Sequence, residues 1–194
     1  TISTKVEKKI ISRMKKLRFG NPLDKSIDMG PLVSLEQLNR VKRLVKSGLE
    51  GGADIYQCDI PPLLKGYFYP PTLLKNVSPS MEIFQQEIFG PVLSSTTFRT
   101  PEEAVALANN SRYGLSASIW SENINLALDI SPKLKVGVVW INSTNVFDAA
   151  VGFGGYRESG YGREGGKEGM YEYLEINPDT FRIKKEAGVF KENI

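Results

Sequence analysis

Between Pro91 and Asn142 the chain alternates strand, helix, strand, helix and strand patterns, and this alternation narrows the possible folds further than any other feature. Pro91 to Phe98 is a β-prone run. Thr100 then offers a helix cap, with Pro101 at the first helical position and Glu103 completing Thr-x-x-Glu. Gly114 to Trp120 reads as the next strand. Ser121 can cap a helix carrying Ile124, Leu126, Ala127, Leu128 and Ile130, which Pro132 stops, and Val136 to Asn142 follows as an apolar strand. Strands separated by helices of this length pair in parallel through right-handed crossovers, so the pattern predicts an α/β fold. The apolar last strand is expected at the sheet centre, buried on both faces. Ligands in such sheets gather beyond the strand C-termini, here after Asn142.

The preceding segment adds two helices and two strands. Val6, Ile10, Met14 and Leu17 recur at helical spacing in Ile2 to Leu17, with Lys8, Lys9, Lys15 and Lys16 on the solvated face, and Gly20-Asn21-Pro22 ends the pattern. Ser34 and Gln37 have capping-box spacing, and Leu35, Leu38, Val41, Leu44, Val45 and Leu49 form one apolar stripe before Gly51-Gly52. Ala53 to Gln57 is expected as a short strand. Tyr67 to Val77, interrupted by Pro70-Pro71, is expected as an edge or irregular strand.

Two stretches raise functional questions. In Gln86-Glu87-Ile88-Phe89-Gly90-Pro91-Val92 a carboxylate and an aromatic ring stand two residues apart, just before a Gly-Pro break. Alone, the pair fits a solvated Glu and a core Phe as well as side chains presented at the mouth of a sheet. Gly160-Tyr161-Gly162-Arg163-Glu164-Gly165 spells G-x-G-x-x-G, but no strand immediately precedes it and too little chain follows for a βαβ unit. It reads instead as a compact loop needing positive-φ positions.

Histidine is absent and cysteine occurs once, among 194 residues. This removes Ser-His-Asp and Cys-His catalysis, argues against a transition-metal site and rules out an intramolecular disulfide. Cys58 has no local base or cationic neighbour to make a thiolate, so it is not read as a nucleophile. With 25 Lys and Arg against 22 Asp and Glu, and no aromatic-interleaved basic patch, nucleic acid is not an expected partner. No apolar run is long enough for a membrane span and no leader pattern is present, so a cytoplasmic or other reducing intracellular setting is expected, and the sequons at Asn76, Asn109 and Asn142 read as chance. The chain opens at Thr1 directly into a helix pattern, which reads as a boundary within a longer protein.

Glu87-Ile88-Phe89-Gly90-Pro91-Val92, Tyr113-Gly114-Leu115-Ser116-Ala117, Val139-Trp140-Ile141-Asn142 and the run from Phe153 to Glu164 stand in an order and spacing that resembles the aldehyde dehydrogenase superfamily; Gly66-Tyr67-Phe68 and Pro71-Thr72 fit as well. The resemblance covers nearly the whole chain and is that of the C-terminal part of such an enzyme. It implies an α/β catalytic domain with a parallel sheet and flanking helices over residues 1–170, and an oligomerisation strand and tail over 171–194. It makes Glu87 the acceptor for the hydroxyls of the nicotinamide ribose of NAD or NADP, and Phe89 the aromatic beside that ribose and ring. Phe147 and Phe153 match aromatic positions that wall the aldehyde pocket. Trp140 and Asn142 match structural positions, and Arg163 and Glu164 match loop-organising ones. In such enzymes a cysteine thiolate attacks the aldehyde, hydride passes to NAD or NADP, and water hydrolyses the thioester. No catalytic residue and no metal ligand is assigned here: the nucleophile, the general-base Glu and the nucleotide-binding domain would lie in an N-terminal half outside these residues. A homo-oligomer acting on an aldehyde is thus implied. A non-catalytic relative kept for assembly or structural use is the alternative. Two departures from the pattern stand out, Gly152 for a common Pro and Arg157 for a frequent Lys, and the first is expected to loosen the backbone before Phe153.

Overall fold

A computed structural model describes residues 2–61 and 65–174. The chain divides into two compact units, Thr1–Asn110 and Ser111–Ile194. Both mix helices with short sheets that contain parallel pairings, as an α/β chain should.

In the first unit, helix α1 spans Ile2–Met14 and stops a turn earlier than its apolar spacing predicts. The loop after it is closed by main-chain bonds from Asp28 and Met29 to the Arg18 carbonyl and by an Arg18–Asp28 ion pair at 2.9 Å. Helix α2, Leu35–Glu50, begins where the sequence places it, because the Ser34 side chain accepts from the Gln37 N–H at 3.1 Å. Its apolar stripe is the spine of the unit. Leu38, Val41, Leu44 and Val45 are buried against Ala53, Tyr69, Leu74, Val77 and Ile83. Each fully buried leucine here contributes about 1.5–3 kcal/mol relative to exposure.

Strands β1 (Asp54–Gln57), β2 (Thr72–Lys75) and, after the short helix α3 (Glu82–Gln85), β3 (Val92–Ser94) form one sheet in the order β1-β2-β3. β1 runs antiparallel to β2, with Asp54 opposite Lys75; β3 runs parallel to it, with Thr72 opposite Val92. The edge position expected for the Tyr67–Val77 region is therefore corrected: β2 is the central strand, and Thr72, Leu73 and Leu74 are buried. Pro70 and Pro71 precede the strand instead of interrupting it, so neither removes a donor from the ladder. The buried Thr72 hydroxyl is satisfied, donating to the Pro70 carbonyl and accepting from the Gln57 side chain. Helix α4 (Pro101–Asn109) closes the unit, capped by Thr100 as the sequence predicts.

The second unit begins with β4 (Tyr113–Gly114) and β5 (Ser116–Ile119), so the single strand expected over Gly114–Trp120 is split at Leu115. Helix α5, Ile124–Ile130, is capped by Asn123, whose Oδ1 accepts from the Leu126 N–H. Ser121, the expected cap, instead turns the chain by accepting from the Asn123 N–H. β6 (Val138–Ile141) pairs parallel with β5, Ser116 opposite Val138, with α5 in the crossover. Two further expectations are corrected. Pro91–Phe98 and Val136–Asn142 do not share a sheet, since β3 belongs with β2; and β6 is half-buried, with β5 as its strand partner among the described residues. A two-stranded sheet cannot enclose a strand on both sides, however apolar its sequence.

β7 (Tyr156–Arg157) returns antiparallel to β4, and α6 (Gly166–Tyr171) follows the glycine-rich loop. The loop has positive φ at Gly160, Gly165 and Gly166, as its glycine content predicts, and among the described residues no dinucleotide-type βαβ unit is built on it. Tyr171, where the terminal strand was expected to start, closes α6; residues 175–194 of that segment lie outside the described residues. No described helix is long and apolar enough to cross a membrane.

Candidate functional site

The structure presents the sequence-derived site residues as two surfaces, one in each unit. The first is the turn between α3 and β3. Glu82–Gln85 ends as a helix at Gln86, and the chain then crosses α2 before entering β3 at Val92. Glu87 is half-buried, and its carboxylate has no hydrogen-bond or ion-pair partner among the described residues. Phe89 is 70% exposed and holds φ at +54°, a conformation few bulky residues adopt. An aromatic side chain held at positive φ and left exposed is a cost to folding. Such costs cluster where a ligand is handled.

What holds the turn was not legible in the sequence. The Gln37 carboxamide donates to the carbonyls of both Ile88 and Phe89, at 2.8 and 2.9 Å. Arg40 Nη2 donates to the Glu87 carbonyl at 2.8 Å. Gly90 lies so close to α2 that a Cβ there would stand 2.6 Å from Val41 Cγ2. Gln37 had signalled a capping box, and Ser34 does cap α2, but the glutamine side chain is turned to the loop some fifty residues later in the chain. Only the fold brings those partners together.

The second surface is aromatic. Trp140, on β6, stacks with Phe153 at 6.2 Å and 23° and meets Phe147 edge-on at 5.6 Å; Phe147 and Phe153 meet edge-on at 5.1 Å. The Trp140 indole N–H donates to the Val146 carbonyl, which draws the segment carrying Phe147 back over the end of β6. Phe147 remains 62% exposed, an apolar face open to a ligand. The loosening expected from Gly152 does not reach Phe153, whose N–H and carbonyl both pair with Glu164, at 2.7 and 2.8 Å. Asn142, at φ +51°, ties its side-chain amide to the Ser121 backbone through both Oδ1 and Nδ2, a structural role. Arg163 organises the glycine loop: its Nη1 donates to the carbonyls of Gly155, Tyr161 and Gly162, and its guanidinium lies 4.8 Å from the Tyr156 ring centre.

Cys58 is buried in the first unit, with its N–H bonded to the Pro71 carbonyl. Partial burial, with the thiol beside it, raises the Tyr56 phenol above its usual range. Among the described residues no three His, Cys, Asp or Glu side chains gather as a metal site.

The model of the aldehyde dehydrogenase family matches residues 1–178. Among curated relatives, the chain is 38% identical over 184 residues to betaine aldehyde dehydrogenase of Bacillus subtilis, covering 93% of this chain and 37% of that protein. It is 39% identical over 175 residues to human aldehyde dehydrogenase 1A1, covering 90% of this chain and 35% of that protein. A crystal structure of betaine aldehyde dehydrogenase from Staphylococcus aureus in complex with NAD+ superposes with a TM-score of 0.84 at 42% identity, over 90% of this chain and 35% of that one. The chain thus spans well under half the length of the relatives it matches.

Proposed function

The chain belongs to the aldehyde dehydrogenase family, and from that premise we propose that the protein carrying it oxidises an aldehyde to a carboxylic acid with NAD, through a thioester on a cysteine outside these residues. The turn at Glu87–Phe89 is the observation that carries this reading. A carboxylate without a partner among the described residues can accept two ribose hydroxyls, and the neighbouring exposed ring offers a flat apolar wall to a nicotinamide. The residues present therefore fit the cofactor. Bound NAD supplies the acceptor for the substrate hydride. Glu87 fixes the ribose and Phe89 limits where the ring can lie, which is positioning of the kind that converts binding into rate.

Phe147 and Phe153, backed by Trp140, wall the aldehyde pocket. An apolar wall of this kind excludes water from a carbonyl centre and favours the apolar part of a substrate. The buried Cys58 takes no part as nucleophile. A structural relative solved with NAD+ supports NAD as the cofactor. The segment 171–194 would join copies into a homo-oligomer, and the unpaired Cys58 suits a reducing intracellular compartment.

The test is turnover of several aldehydes by the full-length protein with NAD and with NADP, before and after thiol alkylation. Turnover faster with NAD and abolished by alkylation is expected, and alkylation should still abolish it in a Cys58→Ser variant. A full-length protein that lacks a further cysteine and turns over no aldehyde would instead be a scaffold relative.

A further inference from the structure

We propose that Gln37 and Arg40 are positioning residues, which hold the Glu87–Phe89 turn in its working shape through three successive main-chain carbonyls. The inference rests on the cofactor-facing reading of that turn. Gln37 and Arg40 stand three residues apart on α2 and so share one face of the helix. A carboxamide nitrogen has two hydrogens, and both are used, one on Ile88 and one on Phe89. Arg40 takes the remaining carbonyl, that of Glu87, with a charge-assisted bond. The donors therefore grip the backbone of Glu87 and leave its carboxylate unengaged.

The frame behind them is rigid. Leu38, Val41, Leu44 and Val45 bury α2 in the core, and Gly90 rests directly on Val41 at the end of the same turn. Phe89 at φ +54° is a conformation that persists only where its surroundings over-determine it, and these bonds are the local determinants. Turning Gln37 to the loop also leaves the capping box without its reciprocal side-chain bond. Helix stability is thereby forgone for control of the turn.

The experiment uses the full-length protein with Gln37→Ala, Arg40→Ala, the double variant, and the conservative Arg40→Lys, which keeps a cationic donor. Hydrogen exchange is read on the peptide covering residues 86–92 and on the α2 core. In the double variant, exchange at 86–92 should rise about tenfold or more while the α2 core stays protected, since all three side-chain hydrogen bonds to the turn are lost. Single-turnover hydride transfer to NAD should fall about ten- to a hundredfold, the scale of a small misplacement, with a smaller change in NAD affinity. Arg40→Lys should recover most of the Arg40→Ala loss. Unchanged exchange at 86–92 would overturn the inference, as would loosening of α2 to the same extent, which would make the role merely structural. Weaker NAD binding with unchanged loop exchange would also overturn it, because the two side chains would then serve the cofactor directly. If the wild-type protein binds neither NAD nor NADP, the functional reading fails while the exchange measurement still decides the clamp.

Discussion

The turn at Glu87–Phe89 and the glycine loop after Asn142 both hold irregular backbone beside exposed aromatic rings, and they do so by opposite means. The turn is held from outside by long side chains of α2 reaching its carbonyls. The glycine loop is held by backbone lying on backbone, with a single arginine threaded through it. A side-chain clamp can be weakened in steps by substitution, and only one turn responds. Where the loop packs through its own main chain, as at Gly137 and Gly154, there is no such slack, because an added Cβ would meet backbone atoms. The first surface is therefore adjustable and the second fixed, in keeping with the separate roles proposed for them.

Gly137→Ala tests the fixed side and should have the largest effect. A Cβ at Gly137 would collide with the Gly154 carbonyl, and backbone on both sides leaves no flexible atom to yield. A loss of about 3 kcal/mol or more is expected, in the range of severe overpacking, measured as a lowered urea midpoint. A cost below about 0.5 kcal/mol, the ordinary surface value, would show that the loop has the slack denied to it here.

On the clamped side the corresponding change is Gly90→Ala, which should cost less, about 1–3 kcal/mol, because the obstructing atom is a methyl group of Val41. Val41→Ala removes that methyl, so the double variant should be more stable than the sum of the two single losses predicts, with a coupling of about 1 kcal/mol or more between residues in contact. Additive losses would mean that Gly90 and Val41 do not press on each other. No comparable partner exists for Gly137, where the opposing atom belongs to the backbone.

Much of this contrast lies at the limit of what the sequence can express. The α2 stripe and the Ser34 and Thr100 caps were legible because they depend on spacing within one element. The glycine density after Asn142 correctly announced positive φ. Pairing partners were less legible: β3 belongs with β2, and the central place of β2 was obscured by prolines that fall just outside it. Glu87 and Phe89 were singled out by their place before the Gly-Pro break and given a role by the resemblance of their motif. Gln37 and Arg40 were not, since a glutamine three residues after a serine has a sufficient local explanation. Their carbonyl partners become visible only when α2 is packed on the core.

The smallest expected effect separates the two regions by charge. Arg163 in the glycine loop donates to carbonyls, which do not titrate. In the first unit, the loop between α1 and α2 is closed by a carboxylate: hydrogen bonds from the Arg18 side chain and N–H, opposed by slight desolvation, hold Asp28 down at about 2. A depressed carboxylate favours the folded state at pH values above its unfolded value, near 3.9, and that contribution is lost as pH falls through about 2. Asp28 and Arg18 are exposed, so the pair acts on its own loop more than on the whole fold. Carboxyl NMR should find Asp28 titrating near 2, and Arg18→Gln should return it towards the ordinary range. Exchange protection of residues 18–29 should decline between about pH 4 and pH 2, ahead of the loop at residues 152–164. An Asp28 midpoint near 4 in the wild type would remove the ion pair from the account of this loop. Equal loss of protection in both loops would show that acid acts on the fold as a whole, and that the charge difference between the regions has no local consequence.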